Sequence, residues 1–290
     1  MKAEKNERID SYLASIMDIS RSLIASYIKE GYITVNGNKV NKSYILNIDD
    51  DIEINVPSLE IKKYDAPIDT LYEDDDLMVI NKEKGMLVHP AKGEDDTLVN
   101  ALIDKINIEG DRAGIVHRLD KDTSGLIIVA KNEKTLHLLQ KEFKERKVHK
   151  EYLALLKGNV LEDEALINAP ILKELKSIKR MVGRGGKEAL SMLNVIARSN
   201  ETTLASFKIM TGRTHQIRVH AKYIGHPLYN DSMYGEKVNE DSFYLHAYKL
   251  SFIHPITSKE MTFTSPLPKA FIDVLLNLGY NKEEVNKYAR

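Results

Sequence analysis

The stretch from Pro57 to Pro67 is polar, irregular and closed by a proline at each end, so no helix or strand is expected to run through it. It divides the 290 residues into a small unit, residues 1–60, and a remainder, residues 69–290, with residues 57–68 as the linker. A remainder of that size can bury a sizeable core without staples, and cysteine staples are ruled out, because there is no cysteine. Disulfides, thiolate zinc sites, iron–sulfur clusters and a cysteine nucleophile are thereby excluded. The charged start, Met1-Lys2-Ala3-Glu4-Lys5-Asn6-Glu7-Arg8, lacks the apolar run of a signal peptide. No stretch approaches the roughly 18 uncharged apolar residues that a membrane span needs. A cytoplasmic chain with no membrane contact is expected.

Residues 1–60 read as a compact α/β unit. Ile9, Leu13 and Ile16 recur at helical spacing, Ser20 can cap a second helix carrying Leu23, Ile24, Tyr27 and Ile28, and Gly31 ends it. Asn36-Gly37, between Tyr32-Ile33-Thr34-Val35 and Asn38-Lys39-Val40, predicts a two-residue hairpin turn. Ile52, Ile54 and Val56 alternate as a further strand. In the remainder, Leu77-Met78-Val79-Ile80 and Leu126-Ile127-Ile128-Val129 are the short apolar runs of buried strands. Asn132 can cap a helix with Leu136, Leu139 and Phe143 on one face, and Tyr152, Ala154 and Leu156 alternate with Leu153 and Leu155 as a strand. Helices are predicted over residues 214–224 and around Phe271, Val274, Leu275 and Leu278. The expected fold class is α+β, a mixed or antiparallel sheet domain behind a small α/β module.

The formal net charge of −1, from 42 basic and 43 acidic residues, conceals a segregation of charge. Asp69, Glu73, Asp74, Asp75 and Asp76 form an acidic run, and Lys141, Lys144, Arg146, Lys147 and Lys150 a basic one. Lys173, Lys176, Lys179, Arg180, Arg184 and Lys187 form another, with Glu174 the only acid among them. A single run of this kind is often just a solvated face. Affinity for a polyanion is nevertheless set by local basic patches rather than by net charge.

The block Gly114-Ile115-Val116-His117-Arg118-Leu119-Asp120-Lys121-Asp122-Thr123-Ser124-Gly125 has a strand leading in and another leading out, and its polar loop presents Asp120. A lone loop aspartate is ordinarily a turn former; twelve residues in this order are far more specific. The block resembles the signature loop of the RluA/RluD-type large-subunit ribosomal RNA pseudouridine synthases, in which the last residue of His-Arg-Leu-Asp is the catalytic aspartate. Lys150-Glu151-Tyr152-Leu153-Ala154 resembles that family's second motif, and Thr211-Gly212-Arg213-Thr214-His215-Gln216-Ile217-Arg218-Val219-His220 its third, continuing to Asp231 and Tyr234-Gly235. Asp74 to Pro90, Leu245-His246-Ala247 and His254-Pro255 match its opening and its end. Two positions depart from the pattern: Glu83 stands where proline is usual and Asn230 where glycine is usual. Arg8-Ile9-Asp10, Ser20-Arg21-Ser22, Gly31 and Val35-Asn36-Gly37 are similar to the alpha-L RNA-binding module of the type found in ribosomal small-subunit protein four. That copy is not strongly basic, with seven basic and ten acidic residues in residues 1–60.

The resemblance implies a pseudouridine synthase catalytic domain that isomerises uridine in RNA, with large-subunit ribosomal RNA as substrate and a part in ribosome biogenesis. Breaking the C1′–N1 bond, turning the uracil and joining C5 to C1′ oxidises nothing and imports no group, so no cofactor is expected. Cleavage develops positive charge on the sugar, which one carboxylate can stabilise or trap, and Asp120 fits that role; a glycal route that removes the C2′ proton stays open. Tyr152 can stack on uracil, and its hydroxyl is a candidate for taking the C5 proton. Arg218 is expected to pair with Asp120, its planar fork suiting a carboxylate and a nearby phosphate.

Because the target atom is unreachable in a stacked helix, the nucleotide must be extruded. Arg118 is placed to enter the vacated space or hold a phosphate. Arg213 and Thr214, at a helix start, are phosphate contacts, with His215 and Lys222 on the polar face of that helix beside Arg218. Arg21 and Ser22 play the same part in the N-terminal module. His215 and His220 lie about 140° apart around a helix and cannot share an ion. With no His-Glu-x-x-His pattern, no metal is expected. A synthase acting on transfer RNA, or an RNA-binding assembly factor without catalysis, are the rival readings, and a monomer is the expected state.

Overall fold

The structure, a computed structural model, describes residues 1–17, 21–55, 63–90, 94, 96–108, 114–175 and 177–289, the side chains of Ser22 and Leu23 excepted. The predicted cap Ser20, the strand residue Val56 and linker residues 57–62 lie outside the described residues. The chain divides into two compact units, Met1–Glu60 and Ile61–Arg290. Among the described residues no helix is long and apolar enough to cross a membrane.

In the first unit, α1 (Ile9–Ile16) and α2 (Arg21–Glu30) precede three short strands, β1 (Ile33–Val35), β2 (Asn38–Lys39) and β3 (Ile52–Ile54). The strands form an antiparallel sheet in the order β2-β1-β3. Ile9, Leu13, Ile24 and Ile28 from the helices pack with Ile33, Val35 and Ile52 from the sheet as the spacing predicts, while Ile16, at the end of α1, is 49% exposed. Asn36 and Gly37 turn the hairpin with φ of 51° and 73°, the left-handed values that a two-residue turn requires. Arg21 donates to Asp10 Oδ2 at 2.9 Å. The Arg8 guanidinium, joined by Arg21, holds the buried Asp10 carboxyl down to about 2. Arg21 is thus anchored at one end while its side chain remains 56% exposed.

The second unit carries β4 (Thr70–Glu73), β5 (Leu77–Lys82), α3 (Leu98–Leu102), β6 (Ser124–Ala130), α4 (Glu133–Lys144), β7 (His149–Lys157), β8 (Glu164–Asn168), β9 (Ile171–Lys173) and β10 (Arg180–Val182). Then follow β11 (Leu190–Ser199), β12 (Thr202–Ile209), α5 (Gln216–Tyr223), β13 (Leu245–Ile253), β14 (Glu260–Thr264), α6 (Lys269–Asn277) and α7 (Lys282–Asn286). The main sheet runs β4-β5-β6-β13-β7-β12-β11-β8, with β14 also paired to β13, while β9 and β10 form a separate hairpin. Every pairing in the main sheet is antiparallel except β6 with β13. The expected mixed sheet is therefore present.

β7 is a central strand with both faces buried, which is why its residues alternate between two kinds of core rather than between core and water. Tyr152, Ala154 and Leu156 share one core with Leu98 of α3, Leu139 of α4 and Ile217 of α5. Leu153 and Leu155 face Phe271 and Leu275 of α6 and Val285 of α7. Asn132 caps α4 as its position predicts, its side chain accepting from the Thr135 amide at 2.9 Å. Sequence spacing did not announce α7.

Candidate active site

The block from Gly114 to Gly125 is bracketed by backbone pressed against backbone. A Cβ on Gly114 would collide with the carbonyl oxygen of Ala130, and one on Gly125 with that of Ala247. Gly125 also has φ of 105°, a value that suits glycine alone. The two glycines let the loop start and stop flush with β6, at the centre of the sheet. Gly125 pairs with Ala247, and Ala247 with Tyr152, so register sets Tyr152 two strands from the foot of the Asp120 loop, across β13. Within the loop, the Thr123 amide donates to the Asp120 carbonyl at 3.1 Å. His117 takes the Ile128 amide proton on Nε2 at 3.0 Å and stacks on Phe143; burial pushes it down to about 3, so it is a neutral structural prop.

Lys82 is 1% exposed. Its ammonium donates to the carbonyls of Glu83, Met86 and Lys121, at 2.7, 2.9 and 3.1 Å. The Gly85 amide also donates to the Lys121 carbonyl, so the peptide following Asp120 is clamped by two donors. Burial pushes Lys82 down to about 8. The opening motif, Asp74 to Pro90, includes Lys82, but the sequence alone gives it no role, because nothing local shows that its acceptors are backbone carbonyls.

Asp120 opens onto a cleft of about 510 Å³ whose lining includes Arg118, Lys144, Arg146, Lys150, Arg213 and Arg218. Asp120 is the only carboxylate among the described lining residues. A cleft lined by six cations and one carboxylate suits a polyanion and brings it beside a single anionic group. Tyr152 also lines the cleft. Burial, and then the charge of Asp120, push its phenol above the ordinary range. A phenol held protonated is a poor proton acceptor, which weighs against the expected role of Tyr152 as a base.

Arg218 pairs with Asp120 as expected, but not through its planar fork. Its fork closes on Asp231, with Nε to Oδ2 at 2.7 Å and Nη2 to Oδ1 at 2.8 Å. Only Nη1 faces Asp120, 3.6 Å from Oδ2, an ion pair without a hydrogen bond. The guanidinium lies between the rings of Tyr234 and Phe243, 4.9 and 4.2 Å from their centroids. Asp231 is fully buried, and its Oδ1 also accepts the amides of Met233 and Tyr234. Arg218 is thus fixed from behind and presents its third nitrogen to the cleft.

The helix expected over residues 214–224 is shorter, Gln216–Tyr223. His215 precedes it with φ of 58° and ψ of 23°, a left-handed turn. The predicted polar face is only partly solvated: Arg218 is 6% exposed and the His215 side chain 15%, while Lys222 is exposed. His215 Nε2 lies 3.9 Å from Asp120 Oδ1. Gln216 braces the turn, its carbonyl accepting from Thr211 Oγ1 and the Arg213 amide, its amide donating to Leu190 O and Ser191 Oγ. Thr214, Arg213 and exposed Arg118 line the cleft as expected. Lys222 is exposed outside that lining. Arg21 and Ser22 belong to the first unit.

Asn230, at the position where glycine is usual, adopts φ of 64°, a value asparagine tolerates better than most residues. Its side-chain carbonyl accepts from the amides of Val238 and Asn239. The departure therefore preserves the backbone and adds a brace. His246 bridges Ser124 Oγ and the Ser265 carbonyl; burial lowers it to about 4, and it acts as a neutral pin beside β6. Asp74, Asp76 and His254 are close enough to suggest a metal site. However, His254 Nε2 already donates to Asp74 Oδ2 while Nδ1 accepts the Ile256 and Thr257 amides. Asp74 further accepts from Tyr72 and the amides of Asp76 and Leu77, so this cluster's ligand atoms are engaged with one another and with backbone.

Residues 76–223 match the family model described as RNA pseudouridylate synthase, and residues 7–52 match the S4 domain. A Bacillus subtilis protein named uncharacterized RNA pseudouridine synthase YlyB is 40% identical over 96% of this chain and 96% of its own. A protein named ribosomal large subunit pseudouridine synthase D, from Buchnera aphidicola, is 35% identical over 94% of each chain. Among solved structures, human RNA pseudouridylate synthase domain containing 1 matches with a TM-score of 0.58 at 25% identity, over 77% of this chain and 97% of its own.

Proposed function

The chain belongs to the RNA pseudouridylate synthase family, and from that premise we propose that its cleft isomerises uridine to pseudouridine in large-subunit ribosomal RNA. The observation that carries the reading is Asp120, the single carboxylate in a cleft lined by six cations. The C1′–N1 bond of an extruded uridine breaks beside Asp120, whose negative charge stabilises or traps the sugar cation. The uracil turns over Tyr152, C5 joins C1′, the C5 proton leaves and N1 ends protonated, so atoms balance without a cofactor. Arg118, Arg213 and Thr214 hold flanking phosphates. The ribosomal target is supported by the relatives named ribosomal large subunit pseudouridine synthase D, which align along nearly the whole chain, the S4 domain included. The S4 domain supplies affinity by tethering, raising the effective concentration of the catalytic unit at its site.

The test is carbodiimide mass-tagging of pseudouridine in unmodified large-subunit ribosomal RNA and in transfer RNA, each incubated with the purified chain. Adducts at discrete positions of the ribosomal RNA alone are expected. Adducts only in transfer RNA would overturn the substrate reading.

Lys150 gives this reading a pH signature. It lies two residues from Tyr152 on β7 and therefore on the same face, with Nζ 5.1 Å from the centre of the Phe143 ring. Burial lowers it to about 8, so the free cleft loses a cation as pH rises through that value. Lys82 titrates in the same range but faces backbone carbonyls. RNA affinity should fall between about pH 7 and 9, and Lys150→Met should bind about tenfold more weakly at pH 7, the size of one charge-assisted contact. Anisotropy titrations across that range decide it: the variant should lose the pH dependence, and if it kept it, another group would be responsible.

A further inference from the structure

We propose that Tyr234 is a positioning residue for Asp120: it fixes the His215 imidazole with Nε2–H turned to the carboxylate, and is itself fixed by backbone at the start of β10. The proposal rests on reading Asp120 as the reacting group. Its basis is donor arithmetic. The Arg180 amide can only donate, and it donates to the Tyr234 hydroxyl at 2.8 Å. The phenol keeps its own proton, and among the described residues His215 Nδ1, also at 2.8 Å, is the partner placed to accept it; we assign the bond in that direction. A nitrogen that accepts carries no proton, so the ring proton sits on Nε2, 3.9 Å from Asp120 Oδ1.

Three further features hold the ring there. His215 takes a left-handed backbone, uncommon for any residue but glycine, which turns its side chain back from α5 toward the loop. Its ring meets that of Tyr234 edge to face, at 5.6 Å and 77°. Tyr234 is 5% exposed and packs on Arg218, so the same side chain touches both groups that face Asp120. The charges around His215 are Asp120 and Asp231, which favour its protonation, and Arg218 and Arg180, which oppose it. Burial is the largest influence and keeps the imidazole neutral by lowering its pKa. One carboxylate oxygen faces the imidazole Nε2 at 3.9 Å and the other faces Arg218 Nη1 at 3.6 Å, electrostatic contacts longer than hydrogen bonds that bias Asp120 to this orientation.

Tyr234→Phe removes the hydroxyl and leaves the ring against Arg218. Nitrogen-15 NMR of histidine-labelled protein should show His215 as the Nε2–H tautomer in the unsubstituted chain. Finding Nδ1–H there would overturn the proposal whatever the variant does. In Tyr234→Phe the tautomers should mix, and the ring should protonate at higher pH, because the hydrogen bond donated to Nδ1 stabilised the neutral form. The acid limb of the kcat–pH profile should therefore move upward. At pH 7.5, kcat should fall about tenfold, the size of one lost hydrogen bond beside the reacting group, with KM nearly unchanged. His215→Gln retains a donor in place of Nε2–H without needing Tyr234, so adding Tyr234→Phe in that background should change kcat less than about twofold. An equal loss in both backgrounds, or an unmoved acid limb, would leave Tyr234 a packing residue only. The tautomer readout needs no turnover, so its result stands apart from any failure of Asp120 as the reacting group.

Discussion

Asp120→Asn should lower kcat by about four orders of magnitude while leaving RNA affinity within about twofold. The amide matches the carboxylate in shape but cannot meet the developing sugar cation with negative charge or form the ester with C1′. The cations proposed to hold RNA, including Arg118, Lys150 and Arg213, occupy other positions of the cleft lining. Single-turnover kinetics with a filter-binding isotherm on the same RNA separate the two quantities. A rate within tenfold of the parent would remove Asp120 from the chemistry.

Asp231→Asn is the second large effect and the less obvious one, since Asp231 is fully buried behind Arg218. The substitution leaves a guanidinium that is 6% exposed without its bidentate partner. Breaking a buried pair from one side costs about 3–5 kcal/mol, and the nearby Asp120 charge puts the expectation at the lower end, about 3 kcal/mol. Arg218, freed from behind, should swing from its 3.6 Å approach into direct hydrogen bonding with Asp120, occupying the oxygen the substrate needs. A fall in kcat of about a hundredfold should accompany the loss of stability. Urea denaturation and steady-state kinetics report the two separately, and full activity in a destabilised variant would show that Asp231 serves the fold alone.

Strands β5, β6 and β7 were legible in the sequence because continuous apolar runs have few other homes. The start of α4 and the first hairpin were legible because Asn132 and Asn36-Gly37 carry specific backbone chemistry. The Asp120, Tyr152 and Arg218 positions were legible from motif order. What escaped depends on where polar groups turn once the chain is folded. Helical periodicity put Arg218 on a polar face but could not say that this face points inward at Asp231, thirteen residues on. The left-handed turn at His215 broke the predicted helix start, and unlike Asn36-Gly37 no local residue pair there marks such a turn. The parallel pairing of β6 with β13 joins residues more than a hundred apart, and periodicity carries nothing about partners at that range. Buried Lys82 was unreadable for the same reason: its three acceptors are backbone carbonyls, which every residue has.

The most direct test of the account uses RNA whose uridines carry tritium at C5. Joining C5 to C1′ must expel that hydrogen, so the purified chain with no added cofactor should release tritium to water in proportion to the pseudouridine formed, and Asp120→Asn should release none above background. No release from the parent chain, or equal release from the variant, would contradict an Asp120-dependent isomerisation.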